Sequence, residues 1–350
     1  SIYFFNYTSP ELNPFILLLP LLASTVFFCW RAINFNKNID WMMFGLFAGF
    51  STLTFYLALY LLASLCLFFM REIIINKKIN YKYFLALLFY FLVIFPHLYF
   101  IFTNDAGSIQ YALWRSFGDP LSGFGNIKIL NHLLYPLIFL IKQILLLIPM
   151  FILLRFILSS FKIGINISDR KLIFLFTITL LPIALMFLTS LFGGVRIRTM
   201  WMSTFYIFPG IFFIYLFKSN INLEKFRSFL FAFSFLFLIL PIVYGIHSFV
   251  QKDKRTDFPG KIIANKIQTE WNKNFSNEIK FVVGSGWVYG GWYGGNLSYG
   301  LKSRPILKDK SSEDTKVGTV WIYTFNSKKK CKGVLLKIDP YYDACLIGKK

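Results

Sequence analysis

Long apolar runs constrain the fold of this chain more than any other feature of its sequence. A transmembrane helix needs about 20 mostly apolar residues to cross the roughly 30 Å hydrocarbon core of a bilayer. Seven regions satisfy this length and are bounded by charged or turn residues: 13–31, 41–70, 83–102, 131–158, 172–192, 200–217 and 227–249. The sequence therefore predicts an integral membrane protein.

Composition supports the same class. Of the 350 residues, 56% are hydrophobic, 44 are Phe and only 15% are charged. A water-soluble chain of this composition could not cover its surface with polar groups. Cytosolic enzymes, disordered tails and small disulfide scaffolds are excluded.

The second apolar region is too long for one ordinary pass. As a single helix, 41–70 would extend about 45 Å at 1.5 Å per residue. Gly45, Gly49 and Ser51 are residues at which a helix can break, so we expect two short helices there. The predicted number of passes is then eight.

Lys and Arg in short loops predict the orientation, because cytoplasmic loops retain them. Three loops with at least three such residues each fall on one side if every helix crosses once: 71–82, 159–171 and 218–227. Loop 32–40 lies on that side as well. The other side receives Ser1–Leu12, loop 103–130, the loop around Arg196 and the tail.

The net charge of +21 could indicate a nucleic acid partner. Its distribution indicates a bilayer instead. Residues 251–350 contain 19 Lys and Arg against 9 Asp and Glu, and most of the remaining excess lies in short loops between apolar runs. The chain begins at Ser1 without a methionine, so we expect it to be the C-terminal part of a longer protein.

The composition changes after Val250, where charge, Gly and Pro begin together. We predict a membrane bundle over 1–250 and a small α/β domain over 251–350. The domain is predicted to contain a helix at 261–275, strands at 279–283 and 320–325, and a Gly- and aromatic-rich loop at 284–300. Cys331 and Cys345 could form a disulfide there, which the sequence leaves open.

Polar and ionisable groups at membrane depth are costly, so each is a candidate functional residue. Those predicted on the side of the tail are Glu11, Asn13, His97, Asp105, Arg196 and Arg198. Guanidinium groups bind phosphate oxygens in bidentate fashion, so this cluster could hold a phosphate-bearing lipid at the interface.

Each candidate also has a structural explanation. Arg196 and Arg198 could extend from a helix end to lipid headgroups. His97 could bond to backbone groups that Pro96 frees where it interrupts the helix, and Glu11 could be a charge favoured at a helix N-terminus. Four aromatic residues of the tail could stack on sugar rings, or their loop could pack onto the membrane or the helical bundle: Trp287, Tyr289, Trp292 and Tyr293.

Several segments resemble one known family in their order along the chain. They are NPFILLLPLLASTVFFCWRA from Asn13, FGLFAGFSTLTFYLALYLL from Phe44, FPHLYFIFTNDAGSIQYAL from Phe95 and RIRTMWMSTFYIFPG from Arg196. In the tail, FPGKIIANKIQTEW from Phe258 and a strand ending in VVGSGW are similar to the periplasmic extension of one bacterial branch. The chain resembles bacterial members of the dolichyl-phosphate-mannose protein mannosyltransferase superfamily, glycosyltransferase family 39.

The resemblance implies an all-α polytopic membrane bundle of GT-C type, followed by a small α/β extracytoplasmic domain. It also implies an inverting glycosyltransferase that uses a polyprenyl-phosphate sugar as donor on the external face of a bacterial inner membrane. The acceptor would be a lipid, glycan or protein. In the family an acidic residue of the first external loop activates the acceptor hydroxyl, and that loop is expected upstream of Ser1.

The resemblance also implies roles for individual residues. Glu11 and His97 would be catalytic; Arg196, Arg198 and Tyr56 would bind the donor phosphate; Asn13, Asp105 and Trp201 would line the substrate. Relatives commonly have Lys-Tyr where this chain has Phe55 and Tyr56. A divalent metal is left open. Two alternatives to an enzyme are a flippase for lipid-linked glycans and a non-catalytic membrane assembly subunit.

Overall fold

A computed structural model describes residues 14–103, 109, 129–161, 166, 168–251, 257–284, 286–309, 317–323 and 331–350. The chain divides into two compact units, Ser1–Ser248 and Phe249–Lys350.

The first unit is mostly helical in its described residues. Its α-helices are α1 (Pro14–Phe35), α2 (Asn38–Thr54), α3 (Ala58–Asn76), α4 (Lys82–Thr103), α5 (Ile129–Ile157), α6 (Arg170–Thr179), α7 (Leu181–Gly193), α8 (Pro209–Leu216) and α9 (Phe226–Val250). Three 3-10 helices accompany them: Thr199–Ile207, Lys218–Asn220 and Leu223–Lys225. The core lies among α1, α2, α3, α6 and the 3-10 helix Thr199–Ile207.

Within the described residues, five helices are long and apolar enough to cross a membrane: α1, α3, α4, α5 and the helix that ends at Val250. The pair α6 and α7, bent by 41°, could form a sixth span. Helix α2 has 17 residues, fewer than the about 20 that a bilayer requires. The chain thus has the helices of a multi-pass membrane protein, and eight passes stay a prediction.

The apolar region 41–70 is divided into two helices as predicted, but the predicted position of the break was wrong. The helix continues through Gly45, Gly49 and Ser51 and ends at Thr54. Both glycines instead allow α2 to approach α4: a Cβ on Gly45 would overlap the carbonyl oxygen of Ala86, and one on Gly49 would lie 2.7 Å from Cβ of Val93. Glycine is required at both positions because α2 and α4 pack too closely to leave room for a Cβ atom.

The predicted span 200–217 is not one helix. The 3-10 helix Thr199–Ile207 ends before Pro209, which is the first residue of α8. Proline has no N–H to donate to the preceding turn, so it begins a helix readily and does not continue one. The sequence prediction failed because it used apolar length and ignored this proline.

Ion pairs bring several helix ends together at one end of the bundle. Near the end of α3, Glu72 accepts from Arg71 at 3.0 Å and from Arg170, the first residue of α6, at 2.7 Å. Between α1 and α2, Arg31 pairs with the buried Asp40 at 2.9 Å. We call this end, which carries Arg31, Asp40, Glu72 and Arg170, the basic end.

Two further contacts extend the basic end. Lys82 Nζ donates to the Asn36 carbonyl at 2.5 Å, which joins the α3–α4 loop to the α1–α2 loop. Asp169 caps α6, accepts from the Tyr215 hydroxyl at 2.7 Å and lies 4.0 Å from Lys218. The hydrogen bond from Tyr215 lowers the pKa of Asp169. The described residues of the four loops that were predicted to share a side therefore lie at one end of the bundle.

The second unit is an α/β domain in its described residues. It contains α10 (Gly260–Asn274), β1 (Phe281–Gly284), a π-helix (Gly286–Gly294), α11 (Gly295–Gly300), β2 (Ile306–Asp309), β3 (Thr319–Tyr323), β4 (Val334–Ile338) and β5 (Tyr342–Ile347). The strand order is β2-β1-β3-β5-β4, with β1 parallel to both neighbours and the remaining pairs antiparallel. The predicted helix and both predicted strands are present within two residues of their bounds.

Most of the predicted loop 284–300 is helical, from Gly286 to Gly300, which corrects the sequence prediction. Tyr289 and Tyr293 from the π-helix pack against a core that contains the buried Tyr342. Burial raises the pKa of Tyr342. Trp292 contacts Phe258 with ring centroids 6.2 Å apart. The three aromatic residues whose side chains are described thus contact the second unit itself, which the sequence analysis did not predict.

A disulfide joins Cys331 to Cys345 on β5, with 5.6 Å between their Cα atoms. It links the segment before β4 to the centre of β5. The pairing that the sequence left open is therefore formed in the structure.

Candidate functional site

Tyr56 and His97 are paired at the end of the bundle opposite the basic end. Helix α4 continues through Pro96, so this proline does not interrupt it as the sequence suggested. His97 Nε2 and Tyr56 Oη are hydrogen-bonded at 2.7 Å, although 41 residues separate them. The partner of this nitrogen is therefore a side chain. The sequence analysis had offered backbone groups freed by Pro96 as partners of His97.

The turn between α2 and α3 positions Tyr56. Phe55 is extended, and its N–H donates to the Ser51 carbonyl at 3.1 Å, which closes α2. Its ring meets that of Phe15, in the first turn of α1, with centroids 4.9 Å apart. The start of α1 therefore lies at this end of the bundle, beside Tyr56.

A second hydrogen bond connects this turn to α7. Tyr60, one helical turn after Tyr56, donates its hydroxyl to Thr189 Oγ1 at 3.0 Å. The neighbouring Ser190 donates to the Val195 carbonyl at 2.7 Å and so holds the backbone that leads to Arg196. The segment with the two candidate arginines is thus joined through α7 and α3 to the helical turn that carries Tyr56.

The arginine segment alternates between exposed and buried side chains. Arg196 and Arg198 are exposed, while Ile197 between them is buried in the core. Trp201 is half-buried against the same core. The buried Ile197 fixes the segment and turns both guanidinium groups outward. Their predicted role with the donor phosphate, and that of Trp201 with the substrate, stay predictions.

His132, in the first turn of α5, is a residue that the sequence analysis missed. Its Nδ1 lies 2.8 Å from the Leu191 carbonyl, which belongs to the last turn of α7. A single histidine in an apolar run has no periodic signal. The only indication in the sequence was that the start of α5 falls on the same predicted side as Arg196. We call the end of the bundle that carries Tyr56, His97, His132 and Leu191 the histidine end.

Three predicted site residues lie outside the described part of the chain: Glu11, Asn13 and Asp105. Among the described residues, no group of three or more His, Cys, Asp or Glu side chains is placed to hold a metal ion. The described site therefore consists of hydroxyl, imidazole and guanidinium groups, which bind anions and transfer protons.

The structure also contains an apolar cavity of about 640 Å³ between α5, α8 and α9. Its α5 lining extends from Leu145 to Ile157, the half of that helix farther from His132. The cavity lies toward the basic end, so we do not assign it to the histidine end.

Comparison with known proteins identifies part of the chain. Residues 1–100 match the family model described as dolichyl-phosphate-mannose-protein mannosyltransferase. This match supports the predicted GT-C glycosyltransferase family over the residues that it covers. The family indicates a membrane glycosyltransferase with a lipid-linked sugar donor. No curated protein and no solved structure matches the chain.

The match includes some of the candidate residues and ends before others. Tyr56 and His97 lie within residues 1–100, whereas His132 and Arg196 follow them. The connection of the arginine segment to the matched part therefore rests on the contacts of Tyr60, Thr189 and Ser190.

Proposed function

We propose that the histidine end transfers a sugar from a polyprenyl-phosphate donor to an acceptor hydroxyl. One observation carries the proposal: the Tyr56–His97 pair, inside the family-matched segment, is connected through Tyr60 and α7 to the exposed Arg196. The family supports the reaction class, and these contacts support the histidine end as the position of the site.

The proposed chemistry follows from the charge that develops in the reaction. When the sugar leaves, negative charge grows on the phosphate oxygen that was bonded to it. Arg196 and Arg198 would bind this phosphate through bidentate hydrogen bonds, and the Tyr56 hydroxyl would donate to it as well. His97 orients the Tyr56 hydroxyl. A carboxylate must take the acceptor proton, and we propose Glu11 or an acidic residue upstream of Ser1.

The charge of the two ends supports an orientation for the site. Described Lys and Arg residues gather at the basic end: Arg31, Lys37, Arg71, Lys77, Lys78, Lys82, Arg170, Lys171, Lys218, Lys225 and Arg227. Because cytoplasmic loops retain Lys and Arg, we propose that the basic end faces the cytoplasm and the histidine end faces outward. A periplasmic location of the second unit agrees with its disulfide, which persists in oxidising compartments.

The test uses the full-length protein, purified in detergent and given a polyprenyl-phosphate sugar with a radiolabelled sugar. We expect the label to move from the lipid to an acceptor, with release of polyprenyl phosphate. Movement of intact labelled lipid across vesicles, without bond cleavage, would replace the proposal with a flippase. Absence of both activities, in protein that remains folded, would favour an assembly subunit.

A further inference from the structure

We propose that His132 binds the departing phosphate of the donor through Nε2, beside Arg196. This inference rests on the proposed function and adds a residue that no pattern in the sequence indicated. It follows from the contact of His132 with α7, from the chemistry of imidazole and from the change of charge on the phosphate.

The contact with α7 determines which ring nitrogen is available. A backbone carbonyl only accepts hydrogen bonds, so His132 Nδ1 must donate its N–H to the Leu191 oxygen at 2.8 Å. The two imidazole nitrogens lie on different sides of the ring, so Nε2 points away from Leu191. The ring is half-buried, so part of it is accessible to a ligand.

The same contact places His132 close to the arginine segment. Leu191 lies in the last turn of α7, and the C-cap residue Gly194 that follows this helix is in the left-handed conformation, with φ of 61°. The hydrogen bond from Ser190 to the Val195 carbonyl then folds the chain back against α7 just before Arg196. His132 and Arg196 therefore approach the same end of α7 from two directions.

The proposed reaction requires such a residue because the phosphate gains charge. The acceptor oxygen bonds to the anomeric carbon, and the bond from that carbon to the phosphate oxygen breaks with its electron pair on the phosphate. The acceptor proton goes to the carboxylate base. The lipid phosphate changes from a diester with one negative charge to a monoester that acquires a second charge near neutral pH.

Imidazole suits this change because each of its two ring nitrogens can carry a proton and donate it to an oxygen. With Nδ1–H held by Leu191, Nε2 of His132 can share a proton with an oxygen of the monoester, which makes it a charged donor to that oxygen. Hydrogen bonds to charged groups are stronger than neutral ones, so His132 should favour the product phosphate more than the donor diester. In this proposal His132 stabilises the product monoester, on which charge develops, and Arg196 binds both the donor diester and the product monoester.

Two variants separate this role from a purely structural one. His132→Asn places an amide N–H near the position of Nδ1 and can keep the bond to Leu191, but it has no group at Nε2. His132→Gln places its amide N–H near Nε2 and removes the bond to Leu191. A residue that only caps α7 would tolerate Asn and not Gln.

The experiment measures binding of a polyprenyl monophosphate and of the matching polyprenyl methyl phosphodiester to purified full-length protein, together with thermal unfolding. We expect His132→Asn to unfold as the wild type does and to bind the monophosphate at least about tenfold more weakly, with diester binding little changed. His132→Gln should keep part of the preference for the monophosphate.

Other outcomes would overturn the inference or its premise. Wild-type monophosphate binding by His132→Asn, while Arg196→Ala loses it, would show that His132 only caps α7 and would leave the proposed function standing. Failure of the wild-type protein to bind either lipid or to transfer a sugar would instead overturn the proposed function.

Discussion

The two ends of the bundle use charge in different ways. At the basic end, three described carboxylates accept hydrogen bonds from neighbouring side chains: Asp40 from Arg31, Glu72 from Arg71 and Arg170, and Asp169 from Tyr215. At the histidine end, the described residues include no Asp or Glu, and the contacts join hydroxyls, imidazoles and backbone carbonyls. Charges at the first end stabilise the fold, whereas Arg196 at the second has no nearby described carboxylate to neutralise it.

The largest effect that would test this contrast is expected at Arg196. Replacing Arg196 with Ala should lower sugar transfer by about 100-fold, because one charged donor to the developing phosphate is lost. The free energy of unfolding should hardly change, since the side chain is exposed. Turnover of labelled donor and thermal unfolding measure the two effects.

Arg196→Lys is the matched variant, which keeps the charge and loses the bidentate geometry. It should retain intermediate activity. Normal turnover by Arg196→Ala would show that this residue is not part of the site. It would also contradict the proposal that charge at the histidine end serves sugar transfer.

The next effect is expected at the basic end, in stability. Glu72→Gln should lower the free energy of unfolding by about 2 kcal/mol, because Arg71 and Arg170 lose their interaction with a buried carboxylate. The effect is smaller than for a fully buried ion pair, because water screens the two partly exposed arginines. Denaturation in detergent measures this change.

Glu224→Gln provides the control for Glu72, because it removes an exposed carboxylate at the same end. It should be nearly neutral. If Glu72→Gln abolished sugar transfer without loss of stability, the basic end would have a function beyond holding the fold together.

A smaller effect is expected for the hydrogen bond at the histidine end. Tyr56→Phe removes the partner of His97 and should lower the free energy of unfolding by about 1 kcal/mol. Donor binding should weaken as well, because Tyr56 is proposed to contact the phosphate. Tyr99→Phe, on the exposed face of α4, is the control and should change neither quantity. Equal behaviour of the two variants would contradict a functional Tyr56–His97 pair.

The smallest effect concerns the pH dependence of stability at the basic end. The pKa of Asp169 is lowered chiefly by the hydrogen bond from Tyr215. A lowered carboxyl pKa contributes stability above the pKa of the unfolded chain, and this contribution disappears as the pH falls through the folded value. Tyr215→Phe should therefore raise the pKa of Asp169 and move the onset of acid destabilisation to higher pH.

Unfolding measured between neutral and acidic pH tests this shift. Asp169→Asn keeps a capping side chain without the titrating group, and in that background Tyr215→Phe should leave the acid onset unchanged. A shift that persists in the double variant would assign the effect to a group other than Asp169.

Much of the local structure could be predicted from the sequence. Apolar length indicated the membrane helices, and the positions of Lys and Arg indicated which loops share an end. In the tail, β-branched and aromatic runs marked β1 and β3. Each of these features depends only on residues that are close together in the sequence, so a short stretch of sequence is enough to predict it.

Several errors came from residues whose role depends on a distant partner. Gly45 and Gly49 suggested a helix break, but α4 packs against them and uses the missing Cβ atoms. The Gly- and aromatic-rich composition of segment 284–300 suggested a loop. Tyr289 and Tyr293 instead lie in a helix and pack against the core of the second unit. Local composition could not distinguish these alternatives.

The sequence by itself determined that the chain enters a membrane, which residues form most of its helices and strands, and where the cationic loops gather. The tertiary structure decided the candidate site. Tyr56 meets His97 across 41 residues, and His132 meets Leu191 across 59. Helix formation and membrane insertion follow from local hydrophobicity and backbone hydrogen bonding, whereas these side-chain pairs exist only after helix packing has brought distant residues within 3 Å of each other.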